Sequence, residues 1–494
     1  MRRVRPLALV VAVLVLVAGG LSLVMLDRAR AGIERVELEL AGSPATLYRP
    51  TGDAPVPLVV VAHGFGGSRQ MMEAISLTLA RAGLGAVAFD FLGHGRMADA
   101  MSPEVTVIEG TTQGLVAQTV AVATAARALP GIAGGDISLL GHSMATDVIV
   151  RAAERLDRVG GLVAISMYSD AVTADFPDRL LILSGARETR LREVALDKLH
   201  QIDPSAGEDE TARGPDGLIR RVAVAPGVGH VGVLWSAAAL AELRDWLGDA
   251  ASPVARTGPW IALLLGAVLA LAWPLSLTLP RREVPPPPTL SLRLFLAAAI
   301  LPALPAALAA VAVGGAVFGL AAFGKLAAFF AVFGLVQLTI LAAAGHRPAR
   351  PDPPGAAALL GIGLGAFALL LDRYGAAFLP TGPRLGVMAI LALGTLPFAV
   401  AASTLGFGAP LWRRLVVHLV PILALGAAMT AQPTALGISF TVLPVLILYL
   451  LVYGTMARWI AARRGPGASG PALGLILAWS IAASTPLFLA QVPG

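Results

Sequence analysis

One short string carries the strongest chemical signal in the chain: Leu139-Leu140-Gly141-His142-Ser143-Met144-Ala145. The apolar residues before Ser143 suit a buried strand, and those after it suit a helix. A sharp strand–turn–helix bend there strains the serine backbone and exposes its hydroxyl, and it tolerates only small residues two positions to either side. Gly141 and Ala145 meet that demand. A serine hydroxyl becomes a useful nucleophile when a neighbouring base takes its proton, and imidazole is the side chain that exchanges protons near neutrality. The chain has no cysteine, which excludes a thiolate nucleophile, a thiolate metal site and a disulfide framework.

The segment resembles the nucleophile elbow of the α/β-hydrolase superfamily, with Ala145 standing where the strict motif has glycine. Two further stretches extend the resemblance. Val61-Ala62-His63-Gly64-Phe65-Gly66-Gly67-Ser68 resembles the family's oxyanion loop. It implies that the backbone N–H groups of Phe65 and Met144 hold the developing oxyanion, while His63, Gly64 and Gly66 shape the loop and His142 flanks the serine. The Asp-x-x-Gly-His-Gly turn at Asp90–Gly95 is also similar to the family pattern. It implies structural roles, with Asp90 bonding loop amides and His94 shaping the edge of the site.

Family order places an acid and then a histidine after the serine. Only His200 and His230 follow Ser143 within the soluble part. His230, in Pro226-Gly227-Val228-Gly229-His230-Val231-Gly232, occupies the family's histidine position, whereas His200 lies in a polar helical stretch and reads as a surface residue. Glu188, after the strand-like run 179–183, takes the acid position. Asp170, after the preceding strand, is the alternative acid, and its other reading is a loop cap. The resemblance therefore implies a Ser143–His230–Glu188 triad that cleaves an ester, thioester or amide through an acyl-enzyme, with no metal or organic cofactor.

Eight strand-like runs, at 35–40, 46–49, 58–62, 85–89, 137–140, 161–165, 179–183 and 221–225, must position these residues. They alternate with helical stretches at 70–82, 114–128, 144–155 and 237–247. The predicted fold class is α/β, a mostly parallel sheet with helices on both faces, because several strands are continuously apolar. The connection between 165 and 179 is too short for an inserted helical lid, so an open site is expected. The acidic stretch 203–217 reads as a solvated loop.

Composition sets the frame. Of 494 residues, 56% are hydrophobic and only 14% charged, which excludes both disorder and a single soluble domain. Between Asp27 and Gly258 lie 28 of the 31 acidic residues but only 21 of the 37 basic ones. The chain's net +6 therefore comes from arginines at the ends of apolar runs, not from a basic groove for nucleic acid. Leu7–Leu26 carries no charge and is long enough to span a bilayer, so 1–31 reads as a transmembrane anchor, or as a signal segment cleaved after Ala29-Arg30-Ala31.

Residues 32–250 form the α/β part, and 259–490 read as an all-α transmembrane bundle of about eight helices. Pro285–Pro288 is a stiff linker within it. Small residues at Gly361-Ile362-Gly363-Leu364-Gly365 suit close helix packing. Arg2, Arg3 and Arg5, Arg281 and Arg282, Arg347 and Arg350, Arg413 and Arg414, and Arg458, Arg463 and Arg464 fall on one side if every run spans once. The positive-inside rule then predicts a cytoplasmic N-terminus, with the soluble part and the C-terminus on the opposite side.

The expected partners are a small-molecule or lipid acyl substrate and the bilayer. Three rivals stand beside an esterase or lipase: a serine peptidase of the same fold, a non-catalytic receptor or scaffold, and a transporter with a hydrolase appendage. The last is disfavoured because Gln337, Thr339, His418 and Gln432, the polar exceptions in the spans, read as helix–helix contacts.

Overall fold

In a computed structural model the described residues are 4–105, 107–283, 289–314, 316–436 and 440–490. Arg2, Arg3 and the Pro285–Pro288 linker lie outside them. Nine strands form one sheet: β1 (Ile33–Leu40), β2 (Ser43–Pro50), β3 (Leu58–Ala62), β4 (Gly85–Phe89), β5 (Ile137–His142), β6 (Val159–Ile165), β7 (Arg179–Gly185), β8 (Thr211–Arg213) and β9 (Ile219–Ala225). Their spatial order is β1-β2-β4-β3-β5-β6-β7-β9-β8. Every pairing from β4 through β9 by way of β3, β5, β6 and β7 is parallel, and β1, β2 and β8 join antiparallel at the edges. The sheet is mostly parallel and layered between helices, the α/β class that the sequence predicts.

No residue of β3 or β4 is exposed, so both strands need cover on two faces. Leu58, Val60 and Ala62 join Val87 and Phe89 in the core on one face. Val59 and Val61 join Ala86 and Ala88 on the other. After the N-terminal helix α1 (Val4–Arg30), α2 (Glu73–Arg81) covers the second face together with α6 (Ala237–Leu247). The first face is covered by α3 (Gln113–Arg127), α4 (Ala145–Ala153) and α5 (Thr189–His200). One expectation is corrected. The 203–217 stretch is not all loop, because Thr211–Arg213 pairs with Ile219–Arg221 and closes the sheet edge as β8.

The chain divides into two compact units, one running Leu21–Leu263 with Arg373–Ala377 and the other gathering the remaining described residues. Among the described residues, nine helices are long and apolar enough to cross a membrane. They are Pro6–Arg30, Gly258–Thr278, Leu292–Ala312, Phe323–Ala343, Pro353–Tyr374, Pro383–Gly406, Leu411–Ala431, Val442–Arg464 and Pro466–Ser484. Pro302 and Pro305 fall where Leu292–Ala312 divides into two shorter helical pieces, as the loss of amide donors requires.

The closest helix approaches are not at Gly361–Gly365. Gly361 and Gly365 face open space, but Gly363 between them is buried, and a Cβ there would lie 3.2 Å from the Tyr453 ring and 3.3 Å from Ile476, in a stretch that winds as a π-helix over Gly361–Ala368. A tighter crossing lies between Phe323–Ala343 and Pro383–Gly406, where a Cβ on Gly394 would sit 2.2 Å from the Ala327 carbonyl oxygen. Small residues matter where backbones meet, and only the packing reveals where that is.

Candidate active site

The serine turn follows from steric demand. β5 ends at His142, α4 begins at Ala145, and Ser143 between them takes φ +52°. A non-glycine residue in the left-handed region is strained, and the surrounding strand and helix hold it there. A Cβ on Gly141 would meet the Ala145 carbonyl oxygen at 2.6 Å and the Ala145 Cβ at 3.2 Å. Both flanking positions must therefore be small, and the single extra methyl of Ala145 fits.

The His63–Ser68 loop packs directly on this turn. A Cβ on Gly64 would lie 2.8 Å from His142 Nδ1 and 3.1 Å from Ser143 Cβ, so only glycine lets the loop backbone come so near the serine. Gly66 turns the loop at φ +69°. Phe65 follows Gly64 in this loop, and Met144 follows Ser143 in the chain.

His230 and Glu188 arrive from the far half of the sheet. β9 leads into the glycine-rich loop that carries His230, and β7 ends at Gly185, three residues before Glu188. His230 Nε2 lies 2.8 Å from Ser143 Oγ, and Nδ1 lies 2.6 Å from Glu188 Oε1. The Glu188 side chain is only 5% exposed while that of His230 is 45% exposed, so the acid is sheltered and the imidazole reachable. Burial pushes the Glu188 carboxyl up, but hydrogen bonds from His230, the Gly185 amide and the Ser166 hydroxyl outweigh it and hold the group below the usual carboxylate range.

Two donors on Glu188 escaped the sequence reading. Ser166 Oγ donates to Oε2 at 2.8 Å, and the Gly185 N–H donates to the same oxygen at 2.6 Å. Ser166 is buried and strained, with φ +55° one residue past β6. Its signal was its position, since a serine directly after a buried strand sits beside whatever follows the neighbouring strand.

The other histidines separate from the triad. His142 Nε2 lies 2.8 Å from the His230 carbonyl oxygen, and burial pushes the His142 ring down to about 4, so a neutral ring donates to and pins the His230 loop. His63 is buried. Its Nδ1 lies 2.8 Å from the Gly64 carbonyl oxygen, and Nε2 accepts from the Phe91 N–H at 3.1 Å, which ties the loop after β3 to the loop after β4. Burial lowers its pKa as well. His94 stacks edge-on against Phe65, with ring centroids 5.4 Å apart.

Asp90 is fully buried and accepts from the Arg69 amide at 2.8 Å, from the Arg96 amide at 3.0 Å and from the Arg69 guanidinium, which fits its expected role in bracing loops. His200 is exposed, and its Nε2 lies 2.9 Å from the Ala206 carbonyl oxygen. Asp170 is exposed, and the nitrogen it would have served is held by Glu188. The connection from Ser166 to Asp178 carries no helix, so no lid element rises from it. Among the described residues no cluster of acidic and histidine side chains is arranged to hold a metal.

No family model and no curated protein matches the chain. Among solved structures it is similar to a dienelactone hydrolase from Anabaena variabilis, at 18% identity and a TM-score of 0.33, covering 44% of this chain and 97% of the other. It is also similar to Est1E from Butyrivibrio proteoclasticus, solved with ferulic acid bound, at 17% identity and a TM-score of 0.31, covering 43% and 96%. A predicted CIB-like hydrolase from Thermoplasma acidophilum matches at 14% identity and a TM-score of 0.33, covering 43% and 94%.

Proposed function

We propose that the protein is a membrane-bound serine hydrolase, esterase- or lipase-like, in which residues 32–250 carry the chemistry, 1–31 anchor the chain and 259–490 form the bundle. One observation carries the reading: an imidazole bridges a strained serine hydroxyl and a sheltered carboxylate at 2.8 and 2.6 Å. His230 takes the Ser143 proton as Oγ bonds to the substrate carbonyl carbon. The Phe65 and Met144 amides stabilise the oxyanion, a contribution of about 3 kcal/mol per donor. His230 then returns the proton to the departing alcohol, thiol or amine, and the acyl-enzyme forms. Water repeats the cycle, giving its proton to His230 and its hydroxyl to the acyl carbon, which frees the acid and restores Ser143. Glu188 keeps His230 in the tautomer that presents a lone pair to the serine. No step calls for a metal or organic cofactor.

An acyl substrate is favoured because the nine candidate spans among the described residues would tether the chain to acyl lipids. A peptidase would use the same steps on an amide. The basic run ends further place the N-terminus in the cytoplasm and the hydrolase on the opposite side, with the C-terminus. A reporter fused after Gly494 is then active only outside the cytoplasm, and a cytoplasmic signal refutes this topology.

Labelling by a fluorophosphonate probe tests the chemistry. Wild type is expected to label and Ser143→Ala not to. Labelling that survives the substitution, or none in folded wild type, removes the enzyme reading and leaves a scaffold.

A further inference from the structure

Two arginines in the helical unit line an apolar cavity without a counter-ion. The cavity measures about 670 Å3, within the range of small-molecule sites, and lies between helices of that unit. Arg414, His418 and Ile422 stand four residues apart on Leu411–Ala431, so they share one face of the helix. Ile447, Leu451 and Arg458 face the same space from Val442–Arg464. Arg414 stands near the N-terminal end of its helix and Arg458 near the C-terminal end of the other. Both guanidinium groups are within electrostatic reach of His418.

The charges are uncompensated. Among the described residues the Arg414 side chain has no hydrogen-bond or ion-pair partner, and its Nε is buried without one. Arg458 donates to the Thr455 hydroxyl at 2.9 Å and to no carboxylate. Apolar wall follows below the basic end. From Arg414 to Ile422 is about 12 Å of helix, and from Arg458 to Ile447 about 16 Å. Leu415, Leu419, Ile447 and Leu451 along it are 48–62% exposed, so the cavity opens sideways. A cationic end joined to an open apolar trough has the polarity of a phospholipid's anionic head and one acyl chain.

We propose that this cavity is a binding site for a single membrane phospholipid with an anionic head, its phosphate held by Arg414 and Arg458 and one acyl chain laid along Leu419, Ile422 and Ile447. The Arg414 Nε is buried without a partner and Arg458 is exposed beside it at the basic end of the trough, so an anionic head would give both guanidinium groups a counter-ion. The inference does not depend on hydrolysis.

Native mass spectrometry of the full-length protein in a neutral detergent, titrated with phosphatidylglycerol and with phosphatidylcholine of the same chains, tests it. One phosphatidylglycerol is expected to bind about tenfold more tightly than phosphatidylcholine, because each basic side chain favours an anionic head. The double variant R414Q/R458Q should lose that preference, R414K/R458K should keep most of it, and Ile422→Trp should weaken both lipids by filling the trough. Inorganic phosphate should not displace the lipid. Equal binding of the two lipids by wild type, an unchanged preference in a folded R414Q/R458Q, or displacement by inorganic phosphate alone overturns the proposal. Fluorophosphonate labelling of the same samples reads the hydrolase separately, so failure of one reading does not mask the other.

Discussion

Arginine finds different partners in the two units. In the sheet-bearing unit many guanidinium groups meet carboxylates: Arg69 meets Asp90 and Glu37, Arg30 grips Glu73 with two nitrogens, and Arg221 does the same to Glu242, although the fully buried Arg220 donates to the Lys198 and Thr173 carbonyl oxygens. In the helical unit the partners are mostly backbone carbonyls. Arg384 donates to Ala482 and Thr485 at 2.8 and 2.7 Å, Arg463 to Leu277 and Leu279, and Arg413 to Leu290. Several of these oxygens end helices, where carbonyls lack intrahelical donors and the dipole is negative. From Pro259 onward the sequence has only Glu283, Asp352 and Asp372 as acids, so helix ends do the work of counter-ions. Arg464 and Arg282, both with Asp352, are the exceptions, and the Arg414 guanidinium has neither kind of partner among the described residues. The contrast teaches that a charge is neutralised by whatever its surroundings can hold: carboxylates where the sequence supplies acids, peptide dipoles among apolar helices.

The largest effect expected lies at the carboxylate hydrogen-bonded to His230 Nδ1. Glu188→Gln should lower kcat about 10⁴-fold by favouring the wrong His230 tautomer, while Asp170→Asn changes it little; steady-state hydrolysis of a p-nitrophenyl ester reads both, and the reverse ranking transfers the acid role to Asp170. Next comes Asp90→Ala, which leaves the buried Arg69 with only the part-exposed Glu37 as a carboxylate partner. It should cost about 3–5 kcal/mol, seen as a lowered midpoint in thermal melting of the detergent-solubilised protein. Arg384→Met tests the other regime and should cost only about 1–3 kcal/mol, the penalty of leaving buried carbonyls without a donor. Equal losses at 90 and 384 would erase the distinction between the units. Ser166→Ala removes one of the donors on Glu188 Oε2, and about a tenfold fall in kcat with KM unchanged is expected, equivalent to one hydrogen bond to a charged group.

Acid should sharpen the picture further. Because the native Glu188 carboxyl titrates below its ordinary value, its stabilisation is complete above the unfolded pKa of about 4.3 and is lost as pH falls through the lower native value. Melting curves of wild type and Glu188→Gln should therefore converge in acid and separate toward neutrality. A gap that widens on acidification contradicts the depressed carboxyl.

Much of the site was legible because its chemistry is local in the chain. Ser143 had to sit at a cramped turn, and Gly141 and Ala145 announced it; the glycines at 64 and 66 marked a loop where backbone must come close. Glu188 and His230 could be named from their places after β7 and β9, since a parallel sheet delivers all such loops to one edge. Ser166 stayed hidden because its role depends on a neighbour 22 residues away. Gly361–Gly365 was legible only in part for a related reason: Gly363 packs against Tyr453 and Ile476 while Gly361 and Gly365 meet nothing, since small residues permit close approach without saying which helix approaches.

By itself, the order of residues determined which strands are apolar on both faces, where the serine must turn, and which runs are long enough to cross a bilayer. These depend on spacing, side-chain size and length, which are properties of the chain alone. Only the folded arrangement decided that Nδ1 of His230 meets Glu188 rather than Asp170, that His142 pins the loop instead of titrating, and that Arg414 and Arg458 face one cavity. Such choices turn on distances of a few ångströms between groups far apart in the chain, and packing sets those distances.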